Sequence, residues 1–109
     1  MYLRGDLVLA SARGNEEKPR PCVIVQANWL NEKIPPSYIV CLLTTEIHEE
    51  LDFRPIIRPL KANGLDKMSQ VMTDKIQAVR DTQISKKIGV LDKKSLADID
   101  NNLRSLINL

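Results

Sequence analysis

The chain of 109 residues contains one histidine, two cysteines and one tryptophan, and aromatic residues make up only 4%. A single histidine, His48, excludes an acid–base mechanism built on two imidazoles. One histidine and two separated cysteines, Cys22 and Cys41, cannot form a Cys/His zinc site without carboxylates, and their spacing matches no zinc motif. Neither a metal nor another cofactor is expected. Both cysteines fall in predicted strands, where they read as small buried hydrophobes of a reducing compartment rather than a disulfide framework. No apolar run approaches the roughly 20 residues needed to span a bilayer. The start, Met1-Tyr2-Leu3-Arg4-Gly5-Asp6, lacks the apolar stretch of a signal peptide, so a cytoplasmic protein is expected. Repeats, low-complexity tracts and internal linkers are also missing.

What is present is an ordinary globular balance of 43% hydrophobic and 28% charged residues, enough for one domain over 1–109. The net charge of +2 is mild, but it is unevenly spread. Residues 54–90 carry eight basic side chains (Arg54, Arg58, Lys61, Lys67, Lys75, Arg80, Lys86, Lys87) against Asp66, Asp74 and Asp81. Residues 45–52 hold Glu46, Glu49, Glu50 and Asp52. A basic half of this kind attracts nucleic acid or an acidic protein segment, although alternating strand faces also scatter charge.

Asp6 to Ala12 reads as a first strand, followed by a polar loop and a nearly continuous apolar strand from Pro21 to Ala27. Asn28 to Ser37, with two prolines and two asparagines, reads as a loop. Tyr38 to Thr44 is a third strand, and Phe53 to Leu60 a fourth that Pro55 and Pro59 confine to an edge or a bulge. Asn63-Gly64 signals a turn, and Gln70–Thr73 with Lys75–Arg80 predicts one long strand or a bent pair. The period then changes: Leu96, Ile99, Leu103, Leu106 and Ile107 lie at helical spacing, with Asp92 available as N-cap. The fold class is therefore mostly β with a C-terminal α-helix, a small, strongly bent sheet or barrel.

The segment Lys18-Pro19-Arg20-Pro21-Cys22-Val23-Ile24-Val25-Gln26 sets one arginine between two prolines at the mouth of a strand. Proline fixes its own φ and drives the preceding residue to extended geometry, so the Arg20 backbone is stiff. A planar, permanently charged fork held this way suits a phosphate or carboxylate; the alternative is a solvated arginine that simply starts a strand. If the second and third strands pair as a hairpin, Arg20 and Thr44 meet at the far end, beside Thr45. A one-residue slip in register would turn one of them away. Such a pair suits cleavage of RNA by its own 2′-hydroxyl, which needs charge stabilisation and in-line geometry. Asp74 would serve as base if its pKa were raised, or it forms a surface ion pair with Lys75. His48 reads as solvated in its acidic loop. Trp29 and Phe53 either stack on bases or pack.

Arg4-Gly5-Asp6-Leu7-Val8, the Lys18–Gln26 segment, Leu42-Leu43-Thr44-Thr45, Asn63-Gly64-Leu65 through Asp74-Lys75-Ile76, and the ending Leu103-Arg104-Ser105-Leu106-Ile107 resemble, in order, the MazF/PemK/Kid toxins of bacterial toxin–antitoxin systems. The resemblance implies an SH3-like barrel, a homodimer and a metal-free endoribonuclease. Such an enzyme cuts mRNA at short sequences to leave 2′,3′-cyclic phosphate and 5′-hydroxyl ends. It further implies an acidic antitoxin whose disordered tail folds onto the toxin. By position, the family's catalytic arginine corresponds to Arg20, its catalytic threonine or serine to Thr44, and the acid used by some members to Asp74. Phe53 and Gln70 fall where relatives contact RNA bases; Asn15, Glu16, Thr45 and Lys75 complete the expected substrate-binding set. Two departures stand out. The first loop has no histidine, and Met72 stands where some members place an arginine, so Asp74 and Glu16 are the candidates for proton transfer.

A second class is a gyrase poison of the same fold, as in the CcdB relatives, which depend on a Trp-Gly-Ile terminus. This chain ends Ile107-Asn108-Leu109 and has its tryptophan at Trp29, which weighs against that reading. A third is an inactive binding module or co-repressor, which the presence of both Arg20 and Thr44 opposes.

Overall fold

The computed structural model describes residues 1–11, 18–33 and 37–109. Six strands, β1 (Asp6–Ala10), β2 (Arg20–Ile24), β3 (Ser37–Thr44), β4 (Ile56–Ile57), β5 (Ser69–Arg80) and β6 (Ile84–Val90), form one antiparallel sheet in the order β4-β5-β3-β2-β1-β6. Two α-helices, α1 (Asn28–Lys33) and α2 (Lys93–Leu106), and one turn of 3-10 helix at Asp81–Gln83 complete the described elements.

The connection between β5 and β6 forces the sheet to curl. Three strands lie between them in the sheet order, so in a flat sheet they would stand about 19 Å apart. They are joined only by Asp81–Gln83, which extends at most about 14 Å between the flanking residues. The sheet therefore bends into a half-barrel, as the short strands and terminal helix predicted. Ser11 N–H donates to the Gln83 carbonyl at 3.0 Å, and the Gln83 side chain returns a bond to the Ser11 carbonyl at 2.8 Å, pinning this corner.

Curling explains why β1 and β2 read as continuous apolar runs rather than as alternating strands: both faces are covered. Leu7, Val23, Cys41, Leu43, Val71 and Ile99 form one core, against which Leu96 and Leu103 of α2 pack. Val8, Cys22, Ile24, Val40 and Val79 form a second core on the other face. Cys22 and Cys41 are free, buried and in different cores, as the reading of small hydrophobes requires. Helix α2 is capped by Asp92, whose carboxylate accepts from Ser95 N–H at 3.0 Å, as its position predicted. Its buried stripe ends earlier than the spacing suggested, since Leu106 and Ile107 are exposed.

Three elements differ from expectation. Residues 28–33 form α1 instead of a loop, because the two asparagines that argue against a helix find partners outside it. Asn28 accepts from Arg4 N–H at 2.7 Å, and buried Asn31 accepts from the Gln26 amide at 2.7 Å. The fourth strand shrinks to Ile56–Ile57 at the sheet edge, where its prolines allow it. Strand β6 has no counterpart in the sequence reading: its burial is irregular, with two lysines and a glycine breaking the alternation.

Candidate active site

Strand pairing brings Arg20 and Thr44 together. Cys22 lies opposite Leu42 and Val23 opposite Cys41, so the same antiparallel register carried to the strand ends sets Arg20 opposite Thr44. The two residues, with Pro21, Leu43 and Thr45, line a cavity of about 200 Å³. Pro21 occupies a position in β2 where the preceding residue is extended, so Arg20 leaves the strand on rigid backbone and is exposed. Arg20 makes no ion pair with any described residue. The Thr44 hydroxyl accepts from Glu46 N–H at 3.1 Å, which fixes its oxygen and leaves its hydrogen free to donate. The arrangement offers a cation and a hydroxyl donor to one oxyanion.

Asp74 stands elsewhere. It lies in the irregular stretch of β5 between the Cys41–Ile76 and Leu43–Val71 pairs and does not line the cavity. Its partner is Arg54, which grips both carboxylate oxygens, Nε to Oδ1 at 2.7 Å and Nη2 to Oδ2 at 2.9 Å. Lys75, the partner expected from adjacency, stands at 3.5 Å and is largely exposed. The hydrogen bonds and charge of Arg54 pull the Asp74 carboxyl down to about 2. The raised pKa that a base near neutrality requires is therefore not found, and Asp74 is a fixed anion. Arg54 escaped the sequence reading because it lies 20 residues from Asp74, beyond any local spacing rule.

Gln70 is enclosed in the fold. It is 1% exposed and spent on the loop before it. Its amide nitrogen donates to the carbonyls of His48 and Arg54, both at 3.0 Å, and its oxygen accepts from His48 N–H at 2.9 Å. These bonds tie it to the loop that Thr45 begins. Phe53 is half-buried, and its carbonyl accepts from Thr73 Oγ1 at 2.7 Å. Thr45 is exposed on the cavity rim. Asn15 and Glu16 lie outside the described residues. His48 sits between Glu46 at 3.4 Å and Glu50 at 3.2 Å, away from Arg20's cavity, and Trp29 is exposed.

Comparison with known proteins agrees with this architecture. The PemK-like, MazF-like toxins of type II toxin–antitoxin systems match residues 3–107. A protein of Mycolicibacterium smegmatis named "Probable endoribonuclease MazF" is 32% identical over 101 residues, covering 92% of this chain and 91% of its own. The endoribonuclease MazF of Staphylococcus epidermidis is 29% identical over 107 residues, covering 94% and 88%. Among solved structures, a MazE–MazF crystal structure from Deinococcus radiodurans superposes with a TM-score of 0.80 at 17% identity, covering 99% of this chain and 96% of that one. The chain belongs to the PemK/MazF toxin family.

Proposed function

We propose that this toxin is a sequence-specific, metal-independent endoribonuclease that cuts single-stranded mRNA through Arg20 and Thr44. The observation that carries the reading is the meeting of these two side chains at one cavity. The 2′-oxygen of the ribose attacks the adjacent phosphorus and the bond to the 5′-oxygen breaks. The 2′-hydroxyl loses its proton and the leaving oxygen gains one, giving a 2′,3′-cyclic phosphate and a 5′-hydroxyl. Arg20 neutralises the charge that grows on the non-bridging oxygens, and the Thr44 hydroxyl holds one of them in line. Asp74, bound to Arg54, contributes a fixed charge rather than a proton acceptor.

The protein acts in the cytoplasm as a single-domain homodimer, neutralised by an acidic antitoxin that its basic half, residues 54–90, attracts, and it touches DNA only through that antitoxin. The relatives named as endoribonucleases and the neighbour crystallised with MazE support this assignment.

The test is incubation of the purified protein with a long single-stranded RNA in EDTA, with end mapping, beside Arg20→Ala and Thr44→Val. Discrete cuts with cyclic-phosphate ends are expected. Loss of one oxyanion donor lowers the rate about 10²–10³-fold. Arg20 is exposed, so Arg20→Ala keeps the wild-type melting temperature, whereas Thr44→Val also loses the bond from Glu46 N–H and its folding is checked by thermal melting. Intact RNA at high concentration of folded protein overturns the assignment.

A further inference from the structure

A second cavity, of about 440 Å³, adjoins the Arg20–Thr44 pocket and shares Pro21 and Thr45 with it. Its floor is a row across three neighbouring strands: Leu9 of β1 lies opposite Pro21 of β2 on one side and Lys86 of β6 on the other. Strands stand about 4.8 Å apart, so the row extends roughly 10 Å from the scissile pocket. That span is short enough for a single flanking nucleotide. Ile88 and Leu65 add apolar wall, and Lys67, Lys86 and Asp66 are exposed around it.

The wall opposite the floor is held rigidly. Buried Asn63 accepts from the N–H groups of Leu60 and Leu65, both at 3.0 Å, and donates to the Arg58 carbonyl at 2.9 Å. Gly64 follows at φ +71°, packed so closely on β6 that a Cβ would overlap the Ile88 carbonyl. Val90 N–H donates to the Ala62 carbonyl at 2.9 Å. The cleft is thus set before any ligand arrives. Its cations are also available: Lys87 is tied to Asp6 at 3.3 Å, whereas neither Lys67 nor Lys86 makes an ion pair with any described residue.

We propose that this cleft receives the nucleotide flanking the cut, its base against Leu9 and Ile88, its phosphate on Lys67 and Lys86, and a base amino group on Asp66. The proposal rests on the endoribonuclease reading and assigns a specificity subsite to it. Continuity with the Arg20 pocket points to the same strand of RNA, and two cations without an ion pair among the described residues, beside an apolar floor, match a nucleotide's phosphate and base. One carboxylate in the same cleft accepts from an amino group on adenine, cytosine or guanine and so discriminates among bases.

The test has two readouts. Binding of a random-sequence oligoribonucleotide pool, made non-cleavable by 2′-deoxy substitution, is measured against salt for wild type, Lys67→Gln/Lys86→Gln and Lys94→Gln. Lys94 lies on α2, paired with Asp98, and serves as control. The double variant should lower the slope of log Kd against log salt by about 0.7 per lysine. In cleavage it should raise KM about tenfold with kcat nearly unchanged. Asp66→Asn should alter the base preference at one position beside the cut while total cleavage persists.

An unchanged slope and an unchanged cut-site profile, in a wild type that cleaves, overturn the subsite and leave the endoribonuclease standing. A lysine-dependent slope without any cleavage overturns the activity and leaves an RNA-binding cleft.

Discussion

Arg54 holds Asp74 by two parallel hydrogen bonds, 2.7 and 2.9 Å, across the 20 residues that separate them in the chain. The pair is largely withdrawn from solvent, with the side chains 10% and 25% exposed. A paired carboxylate with its pKa lowered from 3.8 to about 2 stabilises the fold only while it is charged. Its contribution is complete above pH 3.8 and is lost as pH falls toward 2. After screening it is about 1–2 kcal/mol. Urea unfolding at pH 7 and pH 3 should show that Arg54→Ala lowers stability at pH 7 and has a shallower acid loss than wild type. Equal pH dependence in both proteins would refute the assignment.

Gln70 should behave as a structural residue. Replacing it with alanine strips partners from the His48 N–H and from the carbonyls of His48 and Arg54. The expected loss is about 2–4 kcal/mol, visible as a lower denaturant midpoint. Hydrogen exchange at the His48 amide should accelerate. A stable Gln70→Ala protein with weakened RNA binding would instead restore the base-contact role expected from the sequence.

Gly64 is required by conformation and by space. Alanine there meets both the positive φ and the Ile88 carbonyl, so Gly64→Ala should cost about 1–3 kcal/mol. For a domain of this size the melting temperature should fall by several degrees per kcal/mol. An unchanged melting temperature would show that the loop over residues 61–65 yields easily and that the flanking cleft is not preformed.

Both cysteines should be inert in the native protein. Burial, first of all, pushes the thiols of Cys22 and Cys41 up to about 12. At pH 8.5 the thiolate fraction is on the order of one in several thousand. Iodoacetamide at that pH should leave the folded protein unmodified by mass and label both sites in urea. Rapid native labelling at either would contradict the packing of its core.

Local chemistry was legible in the chain. Pro19-Arg20-Pro21 stiffens its own backbone, β3 is a run of branched residues that reads as a strand in isolation, and Asp92 caps α2 through a bond to a residue three positions on. Each of these depends on neighbours within a few residues, so sequence alone determined them, and with them the short strands and the terminal helix; the register that sets Arg20 opposite Thr44 was fixed only when β2 and β3 paired. Partners far apart in sequence decided the rest. Asn28 and Asn31 became helical because Arg4 and Gln26 satisfy their side chains, and β6 formed because the curling sheet gives it β1 to pair with. That Arg54 grips Asp74 and that Gln70 bonds the loop around His48 was set by which groups the fold carried beside them. Ionisation and hydrogen bonding respond to distance in space, and folding alone sets that distance.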